Sequence, residues 1–370
     1  MSMISEEEIL KRISKDPYPV SPLFDENTLK EIEKMESEII APGIVVIHNA
    51  FNIDQDTLLD HIDSRAEEAH KNRWKWITAE DGKEYGINED GFRYRPEDVP
   101  HTPVRILDPV NPQTEQHIKD IFIYLEDQIY KALIKYIDHY PLMIGSIWWK
   151  TRGHILRYGD GGVLGCHADN DTNYKVTKGV RYMPKGMVAS RQTCGALLYL
   201  NDCVDSEEEL NGRNFTGGHL RFVHLGVSYK PKKGDIIFFP TNYLAAHDVE
   251  KMGKGSRYSY LTFFGQGAND HSANIVICEP EDSKEWCPPV WMNNIYDDYE
   301  AYCKSPYSIW SNAEKHNIEL GWNPVYQGRN VAQYSKSHDT VEVNENNFQV
   351  QQTETKEDEG PCGTTPFKIE

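Results

Sequence analysis

The sequence predicts a mainly β protein with flanking helices, an α+β chain whose strands form a barrel or jelly roll. Three observations lead there. Between Pro141 and Phe264, short runs rich in β-branched and aromatic residues are separated by Gly, Pro, Asn or charged loops. One long amphipathic segment, residues 114–139, precedes them. Strand and helix patterns do not alternate as a parallel sheet requires, and no internal repeat is present.

Taken in order, residues 1–40 predict an N-terminal helical extension of mixed charge with Ile and Leu at helical spacing. Ser5 and Glu8 fit a capping box, and a second helix is expected from Asp25 to Ile39, broken by Pro42 and Gly43. The β-branched run Ile44–Ile47 reads as a buried strand. A helix starting at Asp54 or Asp56 and running to Ala69 follows. Residues 72–113, with Trp74, Trp76, Arg93, Arg95 and many prolines, read as a long irregular segment. In 114–139, Ile118, Phe122, Leu125, Ile129, Leu133 and Ile137 recur at three-to-four spacing, so one face should pack on a sheet. The expected strands are Ile144–Trp149, Gly153–Tyr158, Cys194–Leu200, His219–His224, Asp235–Phe239 and Arg257–Phe264. The main domain is thus expected over 41–275, with its β core at about 141–265. Residues 276–335, rich in Trp, Tyr and Pro, should wrap that core. Residues 336–370, polar and poor in apolar side chains, read as a disordered tail.

Composition narrows the function. No apolar run approaches the ~18 residues that a membrane span needs, and the acidic start is unlike a signal peptide. The 7 cysteines are odd in number and lack a Cys-x-x-Cys pair, against a disulfide framework or zinc ribbon. A reducing, cytoplasmic setting is expected. The formal net charge of -19 disfavours nucleic acid or an anionic membrane as partner. Much of that charge lies at the two ends, which leaves room for a locally basic pocket between them.

The chemistry centres on Gly165–Asp171. If this stretch is a strand running into a turn, His167 and Asp169 point the same way, since strand side chains alternate. His247, just past the buried run 235–239, supplies a second imidazole. Two histidines and a carboxylate make a facial set that leaves octahedral iron(II) open to other ligands. The pair His61 and Asp63 has the same spacing but lies in a predicted helix, where residues two apart do not share a face. On the strand from Arg257, Arg257 and Ser259 share a face, and a guanidinium with a hydroxyl suits the far carboxylate of a dicarboxylate. Asn170 and Asp171 fit either ligand-orienting groups or an Asx turn. The glycines of 159–165 are off register for a dinucleotide loop, and no helix follows them. Asn214–Thr216 is a formal glycosylation sequon, without meaning in a chain lacking a secretion signal.

The order of motifs is more specific than any one of them. Ile155–Gly162, then His167 and Asp169, Ala196–Asp202, Thr216–Phe222, Lys233–Phe239, His247 and Gly255–Arg257 together resemble the prolyl 4-hydroxylase branch of the 2-oxoglutarate/iron(II) dioxygenases. The resemblance covers roughly 141–265 and more weakly Ile44–Ile47. It implies a double-stranded β-helix core, iron held by His167, Asp169 and His247, and Arg257 paired with the distal carboxylate of 2-oxoglutarate. It places Tyr158 and Tyr199 on the cosubstrate pocket, where plain core packing is the other reading, as it is for Ser259. Fe(II), 2-oxoglutarate and O2 are the implied cofactor and cosubstrates, with ascorbate an optional reductant. Asp169 leaves no iron position for a halide. Two departures, Val163 and Leu164 in place of an aromatic before the first histidine and no proline soon after His247, bear on substrate more than on chemistry.

The expected activity is oxidation of an unactivated C–H in a small molecule, such as a free amino acid or biosynthetic intermediate, with release of succinate and CO2. The alternatives are peptidyl hydroxylation of the prolyl 4-hydroxylase kind and, from another class, a non-catalytic β-helix protein that binds metal or ligand. Trp149, Arg152, Arg181 and Arg191 are candidate substrate-side residues, the last two in an insertion, 172–192, that could form a lid.

Overall fold

The computed structural model describes residues 24–309 except 81, 89–92, 107–113, 152, 172–174, 178–179, 183–190, 267–289 and 293. The chain divides into Met1–Arg329 and Asn330–Glu370, and the second unit lies wholly outside the described residues. So do the cap at Ser5, Arg152 and the tail 336–370.

Helix α1 (Glu26–Lys34) is capped by Asp25, whose carboxylate accepts from the Thr28 amide at 2.8 Å. It stops at Lys34 rather than Ile39. Met35 turns extended, and β1 (Glu36–Ala41) pairs antiparallel with β2 (Ile44–His48) through the turn at Gly43. Pairing with a neighbouring strand outweighs the local helical pattern here. The expected boundary at 40/41 therefore falls inside a hairpin. Helix α2 (Gln55–Asn72) is capped by Asp54 and buries Leu58, Leu59, Ile62 and Ala66.

The segment expected to be irregular contains a small antiparallel sheet, β3 (Lys75–Thr78), β4 (Glu84–Ile87) and β5 (Arg93–Tyr94). After it, β6 (Val104–Ile106) joins the main sheet. Helix α3 (Gln116–His139) buries the whole predicted stripe from Ile118 to Ile137. The strand expected over Ile144–Trp149 is a 3-10 turn at Pro141–Ser146, opened by the proline, and then the two-residue strand β7 (Trp149–Lys150).

The core strands follow: β8 (His154–Tyr158), β9 (Leu164–His167), the hairpin β10 (Lys175–Thr177) and β11 (Val180–Tyr182), and β12 (Gln192–Tyr199). Next come β13 (Cys203–Val204), β14 (Phe215–Gly217), β15 (Leu220–Phe222), β16 (Val227–Tyr229) and β17 (Ile236–Pro240). Last are β18 (His247–Val249), β19 (Met252–Gly255), β20 (Arg257–Gly265), β21 (Val290–Trp291) and helix α4 (Ile295–Lys304).

The main sheet runs β1-β2-β17-β12-β20-β7-β21, with β8 also on β20 and β6 on β8. A second sheet runs β16-β15-β18-β9, so β9 is an edge strand. Strand alternation divides the core in two. Ile155, Ala196, Leu198, Phe238, Tyr260 and Phe264 pack outward with α1 to α4, while Tyr158, Leu197, Tyr199, Phe222, Ile237 and Phe239 pack together on the inner face. The architecture is the predicted β core with flanking helices, with open sheets rather than a closed barrel. No helix among the described residues is long and apolar enough to cross a membrane.

Candidate active site

His167 ends β9 and His247 opens β18, and the two are direct partners in the antiparallel register. Asp169 lies just past the strand, in a turn closed by the Asp171 amide donating to the Ala168 carbonyl at 3.0 Å. The Asn170 amide ties that turn to the Thr241 carbonyl at 3.1 Å. The carboxylate still reaches both rings, at 3.3 Å from His167 Nε2 and 3.8 Å from His247 Nε2. Each ring donates from Nδ1 to a nearby carbonyl, His167 to Gly165 at 2.8 Å and His247 to Ala245 at 3.1 Å. These bonds leave each Nε2 free to act as a ligand.

Three ligand atoms thus lie within 4.8 Å of one another, and the buried Asp169 Oδ2 has no hydrogen-bond partner among the described residues. A cation between them would satisfy that oxygen, and two imidazoles with one carboxylate suit Fe(II). Burial pushes the His167 pKa down, but the hydrogen bond and charge of Asp169 prevail and raise it. At His247 burial prevails over the pull of Asp169, and the pKa falls.

Arg257, the first residue of β20, is 1% exposed. Its guanidinium lies 4.9 Å from the Tyr158 ring and 5.1 Å from the Tyr199 ring, and Nη2 donates to the Tyr199 hydroxyl at 3.3 Å. Ser259 pairs with Leu156 on one side and Tyr199 on the other. Arg257 Nε and Nη1 and Ser259 Oγ are buried with no hydrogen-bond partner among the described residues. A buried cation left in this state is costly, and a bound carboxylate would relieve it. Burial pushes the Tyr158 phenol up to about 12 and the Tyr199 phenol up as well, so both stay neutral beside the cation. Gly218, at φ +64, lies beside Arg257 and makes room for Met252: an added Cβ would be in ordinary contact with Arg257 Cδ at 3.6 Å but only 2.2 Å from Met252 Sδ.

Residues 153–265 match the family model described as 2OG-Fe(II) oxygenase superfamily. Over these residues the chain is similar to that family. Fe(II), 2-oxoglutarate and O2 are the cofactor and cosubstrates of that family, and the site chemistry fits them. Among solved structures, this chain is similar to the viral collagen prolyl hydroxylase of Paramecium Bursaria Chlorella virus-1 in its 2OG complex (15% identity, 62% of this chain and 100% of that one, TM-score 0.34). It is similar also to a Pseudomonas putida prolyl-4-hydroxylase (16%, 65% and 98%, 0.34). A Burkholderia pseudomallei oxidoreductase of the 2OG-Fe(II) oxygenase family is a third (15%, 65% and 89%, 0.31). A comparison with curated proteins gave no match.

The structure treats the expected substrate-side residues differently. Trp149 is fully buried and meets Arg191 at Gly265, where an added Cβ would lie 2.4 Å from the indole and 2.6 Å from the Arg191 carbonyl oxygen. Arg181 is on β11, with its side chain outside the description, as is all of Arg152. Asp63, of the helical pair set aside in the sequence, binds Arg157 and Tyr258. Sequence reasoning missed Arg105 and His154, which share the inner wall with Leu156 and Tyr158. Arg105 lay in the segment read as irregular, and only the pairing of β6 with β8 orients it.

Proposed function

We propose that the oxygenase hydroxylates an unactivated C–H of a small molecule, such as a free amino acid or biosynthetic intermediate, converting 2-oxoglutarate to succinate and CO2. The supporting observation is the pairing of the His167, Asp169 and His247 set with buried, donor-rich Arg257 and Ser259 that lack a carboxylate partner. A groove of ≈ 460 Å³ beside β9, lined by Tyr94, Thr102, Leu164 and Gly165 and by none of the metal-ligating residues or Arg257, has the size for a small ligand.

Iron(II), with 2-oxoglutarate and O2, supplies the C–H oxidation. In this reading His167, Asp169 and His247 hold the metal, and the Gly165 and Ala245 carbonyls keep the two imidazoles in the ligating tautomer. Arg257 and Ser259 bind the distal carboxylate of the cosubstrate. Tyr158 and Tyr199, both in ring contact with the guanidinium, hold it in place and keep water from it.

The test is succinate formation by anaerobically iron-loaded protein on exposure to oxygen, beside His167→Ala and Arg257→Ala. Succinate from the parent and none from either variant is the expected result. Absence of turnover in a protein shown to bind both iron and 2-oxoglutarate would reject the enzyme reading. Stimulation by peptides and by no free metabolite would replace the small-molecule substrate with a peptidyl one.

A further inference from the structure

The inner wall carries a second basic group that cosubstrate binding does not use. On β8, His154, Leu156 and Tyr158 share the inner face, because Ile155 enters the outer core and Arg157 reaches Asp63 on α2. Arg105 lies opposite Leu156 in the pairing of β6 with β8, and its neighbours Val104 and Ile106 both belong to the outer core. Arg105 therefore projects inward beside Leu156. Arg73, at the end of α2, donates from Nη1 to the Pro103 carbonyl at 2.6 Å, next to the start of β6.

These groups act on one another. Burial, then the charges of Arg105 and Arg73, hold the His154 pKa well below the ordinary imidazole value, so the ring is neutral. The Tyr158 phenol feels Arg257 and, more weakly, Arg73. Close by, the Arg73 guanidinium sits 5.4 Å from the Trp74 ring, and Trp74 Nε1 is buried with no hydrogen-bond partner among the described residues. Pro103, held by Arg73, also walls the ≈ 460 Å³ groove whose other side includes Leu164 and Gly165 of β9, the strand that ends in His167. Two guanidiniums and a neutral imidazole gathered at the β6–β8 pair, next to the groove that Pro103 lines, are an anion-recognising arrangement. It is local, since the chain as a whole is acidic at -19.

We propose that Arg105, Arg73 and His154 form the subsite for an anionic group, carboxylate or phosphate, on the substrate whose C–H is oxidised. The inference rests on the hydroxylase reading and narrows its substrate to an acidic molecule. Arg257 serves the cosubstrate, and the basic group beyond Tyr158 serves the substrate.

The test is a binding measurement independent of turnover. Protein saturated with Mn(II) and 2-oxoglutarate under anaerobic conditions is titrated by tryptophan fluorescence and by calorimetry with two matched pairs. L-aspartate against L-asparagine probes the carboxylate, and O-phospho-L-serine against L-serine probes the phosphate. In at least one pair the anion should bind roughly tenfold or more tightly than its neutral partner, and the better pair identifies the anion. Arg105→Gln and Arg73→Gln should each erase that preference while leaving 2-oxoglutarate affinity within about twofold, which also shows that the variants are folded. No charge preference in either pair overturns the proposal. So does an Arg105→Gln variant that loses 2-oxoglutarate affinity as Arg257→Gln does, because Arg105 would then serve the cosubstrate. Succinate formation, measured separately, tests the hydroxylase reading itself.

Discussion

The two faces of the β8–β20 pair are built from adjacent residues and treat their polar groups in opposite ways. On the outer face Arg157 and Tyr258, register partners, both find Asp63 of α2. Arg157 Nε donates at 2.7 Å and the Tyr258 hydroxyl at 2.8 Å. On the inner face the next register pair, Tyr158 and Arg257, leaves two guanidinium nitrogens and the Ser259 hydroxyl without partners among the described residues. A protein of this size can satisfy such groups, as the outer face demonstrates. The inner face holds donors ready for a ligand that brings its own acceptors, and the outer face keeps the two strands in place.

The contrast is sharpest in substitutions that separate binding from stability. Arg257→Met should weaken 2-oxoglutarate binding about 100-fold or more, since a buried bidentate ion pair is lost. Measured without ligand, the same variant should melt no lower than the parent, because it removes a buried cation that lacks a carboxylate partner. A large drop in apo melting temperature would mean that Arg257 is a structural residue.

Next in size is a pH effect. The folded pKa of His154 is depressed, so unfolding takes up a proton below the ordinary value of 6.5. Its contribution to stability is complete above pH 6.5 and is lost as pH falls toward the folded pKa, by up to about 1.4 kcal/mol per pH unit. Urea unfolding of the parent and His154→Gln between pH 7.5 and about 5 should show a shallower loss in the variant. Equal slopes would place the imidazole in a wetter setting than the inner wall.

Ser259→Ala should cost about 1 kcal/mol of cosubstrate affinity, roughly fivefold, with little change in melting. Asp63→Ala is the reverse case. It should lower stability by about 1 kcal/mol, small because Asp63 is half-exposed, and leave 2-oxoglutarate affinity within about twofold. If Asp63→Ala instead weakened the cosubstrate strongly, the two faces would be mechanically coupled and the division drawn above would fail.

What the sequence revealed follows the same division between local and long-range signals. That His167, Asp169 and His247 come together and that Arg257 is buried was legible from their spacing and strand context, although Asp169 lies in a turn rather than on the strand. The stripe of α3 was legible because helical periodicity is local. The strand Glu36–Ala41 was not, because its conformation is decided by pairing with Ile44–His48. Likewise nothing near Arg105 in sequence announces its orientation, which comes from a partner strand distant along the chain. Trp149 looked like a recognition residue by type, yet Gly265 allows it to pack flat into the interior.

The placement of the metal ligands also governs how the protein comes apart. The strand β9 hangs on the edge of its sheet, paired among the described residues with β18 alone, with Gly165 and Cys166 exposed. It carries His167 and leads directly into Asp169, while the third ligand belongs to β18. A metal in that position is a latch, since peeling β9 away would have to break coordinate bonds as well as two strand contacts. Amide exchange along 164–170 should therefore slow on metal loading far more than exchange in β12. Without the latch, an open strand edge of the kind that recruits other chains lies beside the reaction centre.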